Sequence, residues 1–466
     1  INLARFESWL HIQSSECAGF INMFSLTVRA SVSIRSANVH NSAKESLVHG
    51  DRFRTSHAYE SDPLTIRPPT RPMLFDSDPY SFLILMLPFD PQVHYYQPLW
   101  TLVAAGIRPL SVTARPEGSV LPAGAKWLKD SAVDIDPKAG VVETKSGDKI
   151  KYEFLVVALG IGNDYGAIPG FQEGLDDPDS GVSTIYSPRY CQKTWQDMQR
   201  FRGGEAVFTY PDSLIKCPGA PQKIAYLADS YFNKTKVRSK TNISFNTCLP
   251  VIFGVKKYAD ALLQVVKRKN INVNYEHVLI ELRPKKKEAV YKIRKEGREV
   301  VMPYDMIHVT PSQRPPSVLR CDARLAGDGG YLTVDKHTLQ HTAYPNIFGL
   351  GDCTDTPNSK TAAAIAKQCL VVERNLLSVA SGQKPPLSYD GYGACPLVTS
   401  YNTCILAEFI YGGIPRETLP INQAKERILA FYMKRDLFPF LYWNFMLKGH
   451  YHGPEFVRRI INPFAE

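Results

Sequence analysis

Apolar and polar positions change their rhythm near residue 93, and past that point the chain becomes regular. Short alternations at 127–135 and 140–143 read as strands around a turn. Ser146-Gly147-Asp148 then closes a hairpin onto the apolar run 152–158, a buried strand ending in Leu159-Gly160. A new unit begins at Gly204. EAVFTY reads as a strand, a loop carries Cys217, AYLADSYFNKT reads as a helix and NISFNTC as a second strand. KKYADALLQVVKRKN sets Ala259, Leu262, Leu263 and Val266 on one face of a basic amphipathic helix. NVNYEHVLIEL, EAVYKI and MIHVT follow as strands. Strand–helix–strand alternation of this kind predicts an α/β domain on a mainly parallel sheet.

A third stretch, YPNIFGLGDCTDTPNSKTAAAIAKQCLVVERNLL, places a short strand at 346–348 and starts a helix near Lys360. Its alanines let that helix lie close against a flat surface, and its first N–H groups form a weak positive pole. Asp352, just past the strand end, is placed to accept a hydrogen bond from a sugar-alcohol hydroxyl. A plain turn before a core helix has the same pattern, so both readings stand.

The ends differ from the body. Only Gly19 and Gly50 occur in the first 100 residues, and 51–91 holds seven prolines and no glycine. Proline removes ladder donors, so this is a poor recipe for a βαβ unit. From Met23 onward, Arg29, Arg35, Lys44 and many serines precede the first acid, Glu45, which is the composition of a mitochondrial transit peptide or of a plain disordered tail. The longest early apolar run, FLILML at 82–87, is strand-sized. At the other end, LFPFLYWNFML is dense in aromatics, interrupted by Pro439 and flanked by Lys434, Arg435, Lys448, Arg458 and Arg459. That suits a segment lying in a membrane interface; a buried helix pair or a homodimer contact suits it equally. No run of 18 apolar residues occurs, so no conventional membrane-spanning helix is expected.

Composition narrows the function. Length allows two or three domains, and 44% hydrophobic residues with 21% charged ones exclude wholesale disorder. The net charge of +10 has no RNA-recognition signature, zinc-finger spacing or long basic block behind it, so nucleic acid is not expected as a partner. None of the nine cysteines is spaced as CxxC, which leaves no readable zinc ribbon or thioredoxin-type dithiol, and no metal site is expected.

Several runs together resemble the sulfide:quinone oxidoreductase family, flavoproteins with two dinucleotide-binding domains. They are HYYQPLWTLVAAG (94–106), ALGIG (158–162), IKCPGAPQKIAYL (215–227), FGVKKYADAL (253–262), YPNIFGLGDC (344–353), SKTAAA (359–364), YGACPLVT (392–399) and FPFLYWNFML (438–447). The resemblance implies an α/β fold of two Rossmann-like, glutathione-reductase-like domains with a C-terminal amphipathic membrane-interface segment. The implied division is an import leader at 1–50, an anomalous segment at 51–93, FAD-binding parts at 94–185 and 339–395, a second Rossmann-like domain at 186–338, and a quinone and membrane region at 396–466.

It also implies a site. Cys217 and Cys395 would form the redox disulfide that hydrogen sulfide opens, Cys395 carrying the sulfane sulfur and Cys217 passing electrons to FAD. A small thiol such as glutathione would remove the sulfane, and ubiquinone would take the electrons. Gln97, Ala132, Asp352, Lys360, Thr361, Ala362 and Ala363 would contact the FAD, Asp352 at its ribityl chain. Lys360 would steady charge on the reduced ring, or simply be a solvated lysine at a helix start. The helix after Cys217 and the adjacent Lys216 are expected to lower the Cys217 thiol pKa. Cys353, Cys369 and Cys404 are expected to be packing cysteines; Cys191, Cys248 and Cys321 have no motif around them. The implied location is the inner mitochondrial membrane, as a peripheral or monotopic protein.

One part of the pattern is missing. The family opens with a strand, a GxGxxG-type turn and a helix that cradle the FAD pyrophosphate. That unit belongs just before His94, where no glycine stands between Gly50 and Gly106. Phe89 occupies the place of the acidic residue that grips the ribose, with Asp90 one position away. Either flanking sequence stands in place of a coding segment, or the chain holds flavin poorly and is a non-catalytic relative. A type II NADH:quinone dehydrogenase is a weaker alternative, because the glycine fingerprint it needs near 208–221 is replaced by the Cys217 loop.

Overall fold

The computed structural model describes residues 92–122 and 124–461, with the backbone of two short strands at Val28–Arg29 and Phe82–Leu85. The rest of the expected import leader and nearly all of 51–93, including Phe89 and Asp90, lie outside the described residues.

Two five-stranded sheets organise the chain. The first runs in the order Ile347–Gly349, Phe154–Val157, Val28–Arg29, Phe82–Leu85, Ala125–Leu128. Its outer pairs are parallel, whereas Val28–Arg29 is antiparallel to both neighbours. The first strand of a doubly wound sheet normally lies centrally and feeds the phosphate turn. Here a two-residue strand running the other way holds a central slot. The segment expected to carry the first FAD unit otherwise lies outside the described residues.

The second sheet is parallel throughout, in the order Val182–Ser183, Met306–His308, Gly204–Tyr210, Thr241–Thr247, Ile271–Asn274. The helices Ala220–Lys234 and Lys256–Arg268 connect three of its strands. Ala206, Val207 and Phe208 are buried in succession, as a strand covered on both faces requires. Two expectations need correcting. The basic helix buries Tyr258, Leu262, Val265 and Val266, while Leu263 is 41% exposed. The run NVNYEHVLIEL is two strands, Ile271–Asn274 and His277–Arg283, because Glu276 turns the chain at φ 58°. His277–Arg283 leaves the parallel sheet for an antiparallel meander with Glu288–Ile293 and Glu299–Pro303.

The C-terminal part pairs Gly393–Val398 with Cys404–Ile410 and then turns helical. Pro439 does not break this helix, contrary to the sequence reading. A wide turn at Met433–Leu437 precedes it, so the helix continues from Ile428–Tyr432 into Phe438–Asn444 despite the missing N–H. Phe431, Tyr442, Met446 and Leu447 face inward; Leu429, Phe440, Phe456 and Ile460 are more than half exposed. No helix among the described residues is long and apolar enough to cross a membrane.

Candidate active site

Cys217 and Cys395, 178 residues apart, meet with their Sγ atoms 3.9 Å from each other. Cys217 lies in the loop after Gly204–Tyr210 and Cys395 in the strand Gly393–Val398. Cys217 adopts φ 85°, a left-handed conformation that costs a non-glycine residue roughly 1–3 kcal/mol. Its carbonyl accepts the Ala220 N–H at 2.7 Å, fixing the start of the helix Ala220–Lys234. Gly219 packs beneath the pair: a Cβ there would sit 2.6 Å from the Cys395 sulfur and 2.5 Å from the Leu397 side chain.

The two thiols are electrically unlike. A hydrogen bond from Cys395 and the nearby Lys223 and Lys434 hold Cys217 well below the usual thiol range, against the pull of burial. Cys395 is pushed well above it by that same bond and by burial. Lys223 is buried and donates to Cys217 Sγ at 3.6 Å. Lys434 is buried in the wide turn, and its Nζ donates to the Pro98 carbonyl at 2.7 Å. The charge beside Cys217 thus comes from these two lysines. Lys216, expected to supply it, instead acts on Asp352.

Asp352 is the second centre. Its Oδ1 is buried without a hydrogen-bond partner, and burial raises the carboxyl's pKa against the opposing charges of Lys216 and Lys360. Lys360 is not a solvated lysine: it is buried, and its Nζ donates to the carbonyls of Thr354 at 2.6 Å and Thr356 at 3.1 Å. Thr361 caps the helix Ala362–Ala380, its hydroxyl accepting the Ala364 N–H, so the N–H groups of Ala362 and Ala363 open the helix. A Cβ at Gly160 or Gly162 would meet no atom within 4 Å. An orphaned carboxylate oxygen, a capped helix start and open backbone at ALGIG fit the ring and ribityl end of a flavin. The phosphate end has no such cradle among the described residues.

Gln97 and Ala132 lie on other elements. Gln97 is exposed in the short turn Gln97–Leu99. Ala132 is buried in a separate three-stranded antiparallel sheet, clustered with Val157 and Cys353.

Over 370 residues the chain is 49% identical to the mitochondrial sulfide:quinone oxidoreductase of Mus musculus, a match covering 79% of this chain and 82% of that protein. It is 40% identical over 369 residues to the mitochondrial sulfide:quinone oxidoreductase of Schizosaccharomyces pombe, covering 77% and 80%. The chain belongs to the sulfide:quinone oxidoreductase family. No family model matches the chain. The solved sulfide:quinone oxidoreductase of Aquifex aeolicus shares the fold, with a TM-score of 0.64 at 20% identity over 80% of this chain and 87% of that one.

Within this sulfide:quinone oxidoreductase framework, Cys353, Cys369 and Cys404 are buried, and burial pushes their thiols up to about 11, 12 and 12. They behave as packing cysteines. Lys223 and Lys434 are the site residues the sequence reading missed. Lys223 stood in the motif IKCPGAPQKIAYL, six residues after Cys217, close enough for one helical turn to bring it back. Lys434 carried no such signal, since only the tertiary fold takes it there.

Proposed function

We propose that this protein is an FAD-dependent sulfide:quinone oxidoreductase working through Cys217 and Cys395. The observation that carries the reading is the approach of these two sulfurs to 3.9 Å with the Lys223 ammonium at Cys217. Hydrosulfide attacks Cys395 Sγ in the disulfide form. The S–S bond breaks, Cys395 becomes a persulfide, and Cys217 leaves as a thiolate with the bonding electron pair. A low-pKa thiol is the better leaving group, so the asymmetry of the pair favours this direction of attack. A thiolate acceptor such as glutathione takes the outer sulfur, and re-forming the disulfide releases two electrons. FAD, when bound, supplies the two-electron acceptor between the dithiol and ubiquinone. Asp352, Thr361, Ala362 and Ala363 hold its ribityl and ring end, with Gln97 and Ala132 as further contacts. Lys360 contributes positive charge from its carbonyl cage.

The proposed domains follow the division implied by the sequence, with flavin held between 94–185 and 339–395. Residues 396–466 take the quinone and rest on the inner mitochondrial membrane. Exposed Ile428, Leu429, Phe440, Phe456 and Ile460, beside Lys448 and Arg459, support that contact.

The test is spectroscopic. The purified protein should show flavin absorbance that sulfide bleaches, NADH does not, and a quinone analogue restores. Cys217→Ser and Cys395→Ser should each abolish sulfide-dependent quinone reduction, and Cys191→Ser should not. A colourless protein, or full activity in either of the first two variants, overturns the reading.

A further inference from the structure

Three side chains from distant parts of the chain form a continuous hydrogen-bonded array next to the aromatic C-terminal helix. Glu117 Oε2 meets His94 Nδ1 at 3.1 Å, and His94 Nε2 meets the Tyr442 hydroxyl at 2.5 Å. Because a carboxylate only accepts, Nδ1 carries a proton, and Nε2 is left to exchange one with Tyr442. This is the carboxylate–imidazole–hydroxyl logic of activated hydroxyl groups, built here on a phenol. The array also has direction. The His94 side chain is 19% exposed, Glu117 is 4% exposed, and Tyr442 is buried. Tyr442 packs on Tyr96 with ring centroids 4.5 Å apart, and Tyr96 lies close enough to Cys217 to feel its charge. The path therefore runs from solvent toward the interior.

Nothing in sulfur chemistry requires this array, since it touches neither cysteine. Reduction of a quinone, however, consumes two protons as well as two electrons. We propose that Glu117, His94 and Tyr442 form a proton relay that delivers protons from water to the quinone. The inference rests on the functional reading above, which gives the quinone to residues 396–466, the region containing Tyr442. In the loaded state His94 is an imidazolium, donating from Nδ1 to Glu117 and from Nε2 to the Tyr442 oxygen, so the proton passed on is the one Tyr442 carries. Transfer breaks the Tyr442 O–H bond and forms an O–H bond on the reduced quinone oxygen. The His94 Nε2–H bond then breaks to re-form the phenol, and water reprotonates His94. Two passages supply both quinol protons, while the electrons come from sulfide.

Among the described residues, Glu117, Tyr442 and Arg115 face His94, and Tyr96 packs on Tyr442. Arg115 is the cross-strand neighbour of His94, and its guanidinium lies over the Trp443 ring at 4.9 Å. A purely structural array would pin the C-terminal helix to the 93–117 region without moving protons.

Tyr442→Phe separates the two roles, because it keeps the ring packing and deletes the relayed proton. Flavin bleaching by sulfide should proceed at the wild-type rate, while reoxidation by a short-chain quinone falls roughly ten- to hundred-fold. The solvent deuterium isotope effect on reoxidation should also change. Glu117→Gln should shift the pH profile of the same half-reaction and leave the melting temperature within a few degrees. Tyr442→Phe with unchanged reoxidation rate and isotope effect, in a wild-type protein that does reduce quinone, overturns the relay alone. Equal slowing of bleaching and reoxidation also overturns it, in favour of a structural role. A flavin-loaded wild type that bleaches with sulfide but reduces no quinone overturns the quinone reading and the relay with it.

Discussion

The Lys223 ammonium lies 3.6 Å from Cys217 Sγ inside the protein, and both belong to the same loop–helix junction. At that distance a unit charge pair is worth roughly 4–5 kcal/mol at an effective dielectric near 20. It adds to the larger effect of the Cys395 hydrogen bond, and together they hold the thiol down against burial. Lys223→Met removes the charge and keeps the stem. Alkylation of Cys217 at pH 7 by iodoacetamide should slow about tenfold or more, and sulfide-dependent bleaching should slow with it. Lys223→Arg should recover part of both. An unchanged alkylation rate in Lys223→Met would show that another group holds the thiolate.

Gly219 makes room for the sulfurs to meet. Its φ of −82° suits any residue, so the demand is for space alone. Alanine there would place a methyl 2.6 Å from the Cys395 sulfur and 2.5 Å from the Leu397 side chain. Gly219→Ala should therefore push Cys395 away and impair disulfide formation. The expected result is a dithiol that resists oxidation, read by mass spectrometry after diamide treatment, with sulfide oxidation lowered at least tenfold. The fold should persist at a cost of about 1–3 kcal/mol, the usual range for overpacking.

Much of this arrangement is legible in the amino-acid sequence. The second sheet is legible through the alternation of strand-like runs such as EAVFTY and NISFNTC with helical ones, and Ala206, Val207 and Phe208 form the continuous apolar core expected of a parallel strand buried on both faces. Cys217, Cys395 and Asp352 were legible through the motifs around them. Local patterns fail where a residue is used against its type. Leu263 is apolar yet exposed, and Lys223 and Lys434 are charged yet buried; no periodicity encodes either exception. The Glu117–His94–Tyr442 array was equally invisible, since its members span 348 residues and meet only through the folded C-terminal helix.

His308 sets part of the acid stability. It is fully buried in the second sheet, its Nε2 accepts the Ile185 N–H at 3.1 Å, and burial lowers its pKa to about 3. In the unfolded chain the ring titrates near the usual 6.5. Between those values the unfolded state binds a proton that the native state refuses. Stability is therefore full above pH 6.5 and falls as pH drops toward 3, by on the order of 4 kcal/mol from this residue alone. His308→Gln offers Ile185 an amide acceptor that does not titrate. Urea denaturation at pH 7 and pH 4.5 should show a smaller loss of stability for the variant than for wild type. Equal losses would mean that His308 is not the group responsible.

Lys434 links the alkaline limb of activity to the dithiol. Burial, reinforced by Lys223, lowers its pKa to about 8, while Cys217, Cys404 and Cys395 oppose the drop. Below pH 8 it is charged and helps to stabilise the thiolate that leaves when hydrosulfide opens the disulfide; above pH 8 that help disappears. Sulfide-dependent bleaching should thus decline as pH rises through 8, although the supply of hydrosulfide does not. Lys434→Arg fixes the charge and should carry the rate flat to pH 9.5. Lys434→Met should lack the limb as well, at a rate about tenfold lower throughout, the worth of one pKa unit. Stopped-flow bleaching from pH 7 to 9.5, with melting temperatures to establish folding, tests both variants. A limb that persists unchanged in folded Lys434→Arg would assign it to another group.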